Sequence, residues 1–255
     1  MSRSVALITG AASGIGLALT RHLLAKDWLV VMADVNTKLG SAAASELGDY
    51  VRLIPTDVSI YSQQAKLFSE AFAWGRTTDF YESEEKLDDD GIPKALDMMT
   101  LKVDMDAIVQ GVWLFKHFAR RNKERKGGKV VITSSMAGLY PMESDPLYTA
   151  AKHGLVGFTR ATGAHFHPEG ITVNCICPAF VITGLAPENV LVKFPKEHIT
   201  PMSTVLQAYD MFLGDSKLSG QVVETSLDQV NFQHPPPFTS DTNRWLASAT
   251  KELWE

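Results

Sequence analysis

Val5-Ala6-Leu7-Ile8-Thr9-Gly10-Ala11-Ala12-Ser13-Gly14-Ile15-Gly16 is the stretch on which the fold turns. Its apolar run lacks the polar alternation of a half-exposed strand, so it reads as a strand buried on both faces. The glycines that follow permit positive φ and close backbone approach, and a helical pattern from Ile15 to about Lys26 comes next. The free N–H groups at such a helix start face the glycine turn and suit a phosphate.

The same rhythm continues outward. Leu29-Val30-Val31-Met32-Ala33 is a second apolar strand ending at Asp34, followed by a helix over 37–47 and a strand over 51–54. Helices are expected over 63–74 and 100–121, a strand over 129–132, a helix over 147–163 and a strand over 171–173. Strands alternating with helices give βαβ units. The expectation is an α/β fold: one domain, 1–255, with a doubly wound parallel sheet and helices on both faces. Two segments break the rhythm. Residues 77–94 are acidic, with Glu82, Glu84, Glu85, Asp88, Asp89 and Asp90, and read as a solvated loop. The tail, 235–255, passes through three prolines into a stretch that Ser240 or Thr242 can cap. There Trp245, Leu246, Ala249 and Leu253 share one side, expected to dock on the body.

Composition excludes several classes. With 45% hydrophobic and 21% charged residues the chain is neither a disordered tail protein nor a membrane bundle, and its apolar runs are far shorter than a membrane span. A balance of 24 basic against 29 acidic residues, without a basic stripe, argues against nucleic acid. The cluster Arg120, Arg121, Lys123, Arg125, Lys126 and Lys129 has a plain explanation as cations at a helix C-terminus. Cys175 and Cys177 sit too close along one strand for a mutual bridge, and no further metal ligand is near. They read as core residues of a reducing compartment. No metal is expected, and the start of the chain runs into a strand rather than a leader segment, which points to the cytoplasm.

Two constellations carry chemistry. Asp34, at the end of the second strand, stands where a carboxylate accepts hydrogen bonds from an adenosine ribose diol. No Arg or Lys lies in the glycine loop or directly after Asp34 to receive a 2′-phosphate, so NAD is expected over NADP. Farther along, Tyr148 and Lys152 lie four apart on one helix face, and Ser135 ends the preceding strand. A free tyrosine is a poor base at neutral pH, but a neighbouring ammonium favours the phenolate. A serine hydroxyl can then hydrogen-bond the oxygen that gains or loses the proton.

With these residues in place, the chain resembles the short-chain dehydrogenases/reductases over nearly its whole length. The motifs are TGAASGIG, SSMAGLYPMESDPLYTAAKHGLVGFTR and NCICPAFVITG. Within the family it is most similar to the hydroxyprostaglandin-dehydrogenase-like branch. The resemblance implies a Rossmann-type domain that assembles into homodimers or homotetramers. It implies that Tyr148 is the acid/base, that Lys152 holds the nicotinamide ribose and eases the proton from Tyr148, and that Ser135 orients the substrate oxygen. By the same likeness Gly10, Ser13, Gly14, Ile15 and Gly16 cradle the cofactor, and Asp57 and Val58 contact adenine. Pro178, Val181 and Thr183 meet the carboxamide, and Asp145 contacts substrate. Residues 184–200 have few charges and the length of a substrate-covering loop. The expected activity interconverts a hydrophobic secondary alcohol (lipid-, steroid- or terpenoid-like) and its ketone. The alternative is a redox-impaired relative that keeps NAD and acts as a scaffold or a redox-neutral cyclase or isomerase.

Three departures from the family pattern stand out. Gly75-Arg76-Thr77-Thr78 passes straight into the acidic segment, without the family's Asn-Asn-Ala-Gly strand. Either another segment fills that slot, or the sequence lacks residues that the working protein has. Asp104 stands where the family has a catalytic Asn. Ala179 replaces the Gly after Pro178.

Overall fold

The computed structural model describes residues 4–70, 98–121, 127–184, 186, 188–214 and 217–254. Strands β1 (Val5–Thr9), β2 (Leu29–Asp34) and β3 (Val51–Pro55) alternate with helices α1 (Gly14–Leu24), α2 (Thr37–Leu47) and α3 (Tyr61–Glu70). One helical run then comprises α4 (Met99–Leu101), a π-helical turn (Lys102–Asp106) and α5 (Ala107–Arg121). It is followed by β4 (Gly128–Thr133), α6 (Pro146–Phe166), β5 (Ile171–Pro178), α7 (Glu188–Lys193) and α8 (Met202–Leu213). The chain closes with β6 (Val222–Ser226), β7 (Gln229–Phe232) and α9 (Asp241–Trp254). The acidic segment 77–94, the end of the helix expected over 63–74, and Lys123, Arg125 and Lys126 of the basic cluster lie outside the described residues.

The doubly wound architecture is present. β1, β2 and β3 are parallel with β2 in the middle; β4, β5 and β6 are parallel, and β7 adds an antiparallel edge. Strand alternation sends the two faces into two cores. Leu7, Val130, Ile132, Val173, Cys175 and Cys177 pack with Val112, Phe115 and Leu155 of α5 and α6. Ile8, Val30, Met32, Val131, Ile176 and Val223 pack with Leu19, Leu23, Val205 and Phe212 of α1 and α8. Each core draws on both groups of strands, so α5 and α6 cover one face and α1 and α8 the other.

Between the two groups no described strand pairs with both. Leu29 N donates to Ser4 O at 2.9 Å and Ser134 N donates to Ile176 O at 2.8 Å, which fixes the parity of each ladder. Ala6 and Ile8 therefore aim their backbone groups at β2, and Val130 and Ile132 aim theirs at β5. Val5, Leu7 and Thr9, with Val131 and Thr133, face the opposite edges, where no strand of the described residues meets them. The Thr9 hydroxyl is buried there and has no partner. This is the position at which the sequence departs from the family's strand pattern.

Local chemistry sets the helix starts. Asn36 Oδ1 accepts from Leu39 N at 3.0 Å to cap α2, and Asp145 Oδ1 accepts from Tyr148 N at 3.0 Å to cap α6, with Pro146 in the first turn. Ser240 caps α9, its Oγ accepting from Asn243 N at 3.1 Å. Of the residues expected to dock α9, Ala249 is buried whereas Trp245 and Leu246 turn outward, 57% and 45% exposed; the Leu253 side chain lies outside the described residues. α6 and the turn before β6 touch backbone to backbone: a Cβ at Gly163 would lie 2.2 Å from Gly220 N. Cys175 and Cys177 are buried free thiols, and the hydrogen bond of the Cys177 thiol to Cys175, together with burial, pushes that thiol well up. Among the described residues no helix is long and apolar enough to cross a membrane.

Candidate active site

The glycine loop between β1 and α1 is held by contacts that only glycine permits. Gly10 and Gly14 have φ of 63° and 52°, and a Cβ on Gly16 would sit 2.2 Å from Gly10 O. Ser13, extended and exposed, is the N-cap residue of α1 with no side-chain cap bond. The first N–H groups of this helix are thus left to a ligand, and Ile15 anchors the turn in the core. Asp34 leans onto the same loop: its Oδ2 accepts from Ala12 N at 2.9 Å and its Oδ1 from Asn36 N at 2.8 Å. A carboxylate has about four acceptor sites, so two remain for hydroxyl donors.

The positions matched to adenine are engaged with the chain itself. Asp57 Oδ1 accepts from Ser59 N at 2.9 Å and from Ser59 Oγ at 2.7 Å, closing a turn. Val58 is buried against Val103 and Ala107. Its carbonyl accepts from Gln64 Nε2 at 2.6 Å. These bonds shape the rim of the loop region and leave the Asp57 carboxylate only part of its acceptor capacity.

The second half of the site rests on α6. The hydroxyl of Ser134 donates to Lys152 O at 3.0 Å, tying the end of β4 to the turn of α6 that carries Tyr148 and Lys152. Ser135, half-buried, is extended and caps a short helix at 136–138, its Oγ accepting from Ala137 N at 3.2 Å. Tyr148 is half-buried and Lys152 buried; the Lys152 Nζ lies 5.2 Å from the centre of the Tyr148 ring. Asp104, from the π-helical turn, meets Lys152 directly, Oδ1 to Nζ 2.7 Å. Asp145 caps α6 and is itself buried, so what the geometry assigns it is the placement of Tyr148.

Pro178 ends β5. Ala179 N donates to Thr225 O at 2.9 Å, and Val181 packs on the core of α1 and α8. Thr183 follows, half-buried. The segment 184–200 folds back through Phe180, whose ring stacks on Phe194 with centroids 3.7 Å apart. The structure therefore joins Tyr148, Lys152 and Asp104 into one connected set, next to which Ser134 ties the end of β4, and with it the neighbouring Ser135, to α6; the glycine loop and Asp34 form a second. Sequence reasoning missed Ser134, for which the Ser134-Ser135 doublet was the available signal, and the direct Asp104–Lys152 contact, for which there was none.

The cradle at Gly16, the free helix start and the spare acceptors of Asp34 fit a dinucleotide, so fold and site together define a nucleotide-binding oxidoreductase of the α/β class. Comparison with known proteins makes this specific: a family profile described as enoyl-(acyl carrier protein) reductase matches residues 10–199. A short-chain dehydrogenase/reductase of Penicillium rubens is 31% identical over 276 aligned positions, covering 98% of this chain and 91% of that protein. Human 15-hydroxyprostaglandin dehydrogenase [NAD(+)] is 32% identical over 189 positions, 71% of this chain and 69% of that one. The crystal structure of 3-hydroxyacyl-CoA dehydrogenase type-2 from Mycobacterium avium superposes with a TM-score of 0.75 at 25% identity, covering 90% of this chain and 96% of that one. The chain belongs to the short-chain dehydrogenase/reductase family.

Proposed function

We propose that this chain is an NAD-dependent dehydrogenase/ketoreductase that interconverts a hydrophobic secondary alcohol and its ketone. The observation that carries the reading is Lys152 Nζ 5.2 Å from the Tyr148 ring on the first turns of α6, which Ser134, the neighbour of Ser135, ties to the end of β4, together with Asp34 clamped on the glycine loop. When bound, the nicotinamide supplies the hydride acceptor or donor. Tyr148, its backbone N–H held by the Asp145 cap, takes the proton from the alcohol oxygen as the phenolate, or gives it to the ketone oxygen as the phenol. The Ser135 hydroxyl hydrogen-bonds the same oxygen, and the Lys152 ammonium offsets negative charge as it develops on the phenol. Glycines 10, 14 and 16 and the start of α1 hold phosphate, and Pro178, Val181 and Thr183 border the carboxamide end.

Asp34 supports NAD, since a carboxylate repels a 2′-phosphate but accepts from a diol. An apolar substrate is supported by the stretch around Thr183, where Ile182 before it and Val192 after it present 55% and 80% of their surface to solvent. The relative that is a 15-hydroxyprostaglandin dehydrogenase points to the same substrate class. We place the protein in the cytoplasm as a homodimer or homotetramer of one domain, with Trp113, 60% exposed on α5, available to such a contact. The alternative, a redox-impaired NAD-binding protein, is favoured by one observation: Lys152 is already engaged by Asp104.

The test is spectrophotometric. With NAD and a panel of hydrophobic secondary alcohols, NADH absorbance is expected to rise, and titration should show NAD(H) binding more tightly than NADP(H). Tight NAD binding without turnover on any alcohol or ketone would favour the alternative.

A further inference from the structure

Asp104 reaches Lys152 because two helices come unusually close. In the π-helical turn Lys102 and Asp106 point to solvent while Val103 and Asp104 are buried. Such widened turns recur at functional sites because they re-aim one side chain inward. Met105 of the same turn lies against α6 at Gly154, where a Cβ would come within 2.8 Å of its Sδ and Cε. This contact brings the Asp104 carboxylate to 2.7 Å from Lys152 Nζ, with side chains 1% and 3% exposed. A buried ion pair is not a cheap stabiliser: desolvation consumes much of the Coulomb gain, and a neutral pair of similar shape often does as well. The feature that the pair does provide is electrical. It sets the local charge around Lys152 to zero, where an amide at 104 would leave a lone ammonium.

We infer that Asp104 is a positioning residue whose charge biases the site toward the oxidised form of its nicotinamide cofactor. This rests on the function proposed above. The oxidised ring is a cation and the reduced ring is neutral, so a lone Lys152 ammonium in a poorly screened interior disfavours the first relative to the second. Asp104 cancels that field and keeps the oxidised form bound, which suits a site that starts its cycle by accepting hydride.

The experiment measures dissociation constants of NAD+ and NADH, separately, for the purified wild type and for Asp104→Asn. The ratio of the NAD+ constant to the NADH constant is expected to rise by about tenfold in the variant, the order expected for one added charge in a partly screened interior. Asp104→Asn/Lys152→Met, which removes both charges, is expected to return the ratio to its wild-type value. If both constants move by the same factor in Asp104→Asn, or neither moves, the residue is structural and the inference falls. A ratio away from the wild-type value in the double variant overturns it even where the single variant cannot be purified. Failure of wild-type protein to bind either form would instead sink the nicotinamide reading itself.

Discussion

The two groups of strands solve the same problem with unequal means. β5, eight residues all buried, is paired on both sides by β4 and β6, and it supports α6 with Tyr148 and Lys152. β1, which leads into the glycine loop, is paired on one side by β2, and its Val5 end is exposed. The strand under α6 is therefore paired along both sides, whereas β1, like β4 across from it, turns one row of backbone groups toward an edge without a described strand. Unpaired buried amides cost on the order of 1–3 kcal/mol each. The lesson is that the two candidate regions are held by separate contacts: the Tyr148–Lys152 helix by β4, β5 and α6, the glycine loop by Gly16 against Gly10 and Asp34 against Ala12. The Penicillium relative sharpens the contrast. Its alignment spans 276 positions but only 98% of the 255 residues here, about 250, so about 26 of its positions face gaps in this chain.

The largest effect that separates the halves should come from Tyr148→Phe. Removing the transferable proton is expected to lower turnover by about 10²–10⁴-fold. Cofactor binding, the task of the other half, should be unchanged by titration. A near-normal rate would remove Tyr148 from the chemistry, and a parallel loss of cofactor affinity would show that the halves are not independent.

A second, intermediate effect lies in hydrogen exchange. The amides of Leu7 and Val131, facing the unpaired edges, should exchange roughly tenfold or more faster than those of Ile8 and Ile132, which face β2 and β5. Equal protection measured by NMR would mean that another segment completes the ladder in solution, leaving neither β1 nor β4 with an open edge.

The smallest effect is electrostatic and belongs to the half that carries α6. Hydrogen bonding from Arg120, with Lys116 at 3.2 Å, lowers the Glu169 carboxyl from 4.5 to about 2. A depressed carboxyl contributes stability that is present above its ordinary value and is lost as pH falls through the folded value. Acid titration followed by circular dichroism should therefore show the Glu169→Gln variant less stable than wild type near neutrality, with the gap closing between pH 4.5 and about 2. Because Arg120 is exposed the gap should be small, and a difference independent of pH would assign Glu169 a packing role.

Much of this was legible in the residues, for physical reasons that also mark where reading stopped. Fully apolar runs such as Leu29–Asp34 betray strands buried on both faces, and the spacing of Tyr148 and Lys152 places them together on any helix. β6 and β7 went unseen because β7 is short and mostly exposed, and because their connection has Leu227 at φ 52° instead of the glycine or asparagine that signals a hairpin. β5 extends to Pro178, beyond its β-branched start, because the later cysteines are core residues that carry little strand signal. The π-helical turn is invisible to a periodicity argument: one inserted residue in a helical run leaves the pattern helical. Asp104 could be singled out by resemblance, but its contact with Lys152 depends on how closely the turn and α6 approach.

The backbone contact of Gly163 with Gly220 bears on how such a chain can drift over generations. α6 behaves as a stiff rod, and at a rise of about 1.5 Å per residue its contact point lies roughly 22 Å from Tyr148. Adding even a methyl group there acts as a shim under the far end of a lever, and active groups tolerate displacements of only about 0.5 Å. The sequence is thus constrained at a place far from Tyr148, and a lineage could lose its chemistry by exchanging a single hydrogen at the foot of the helix.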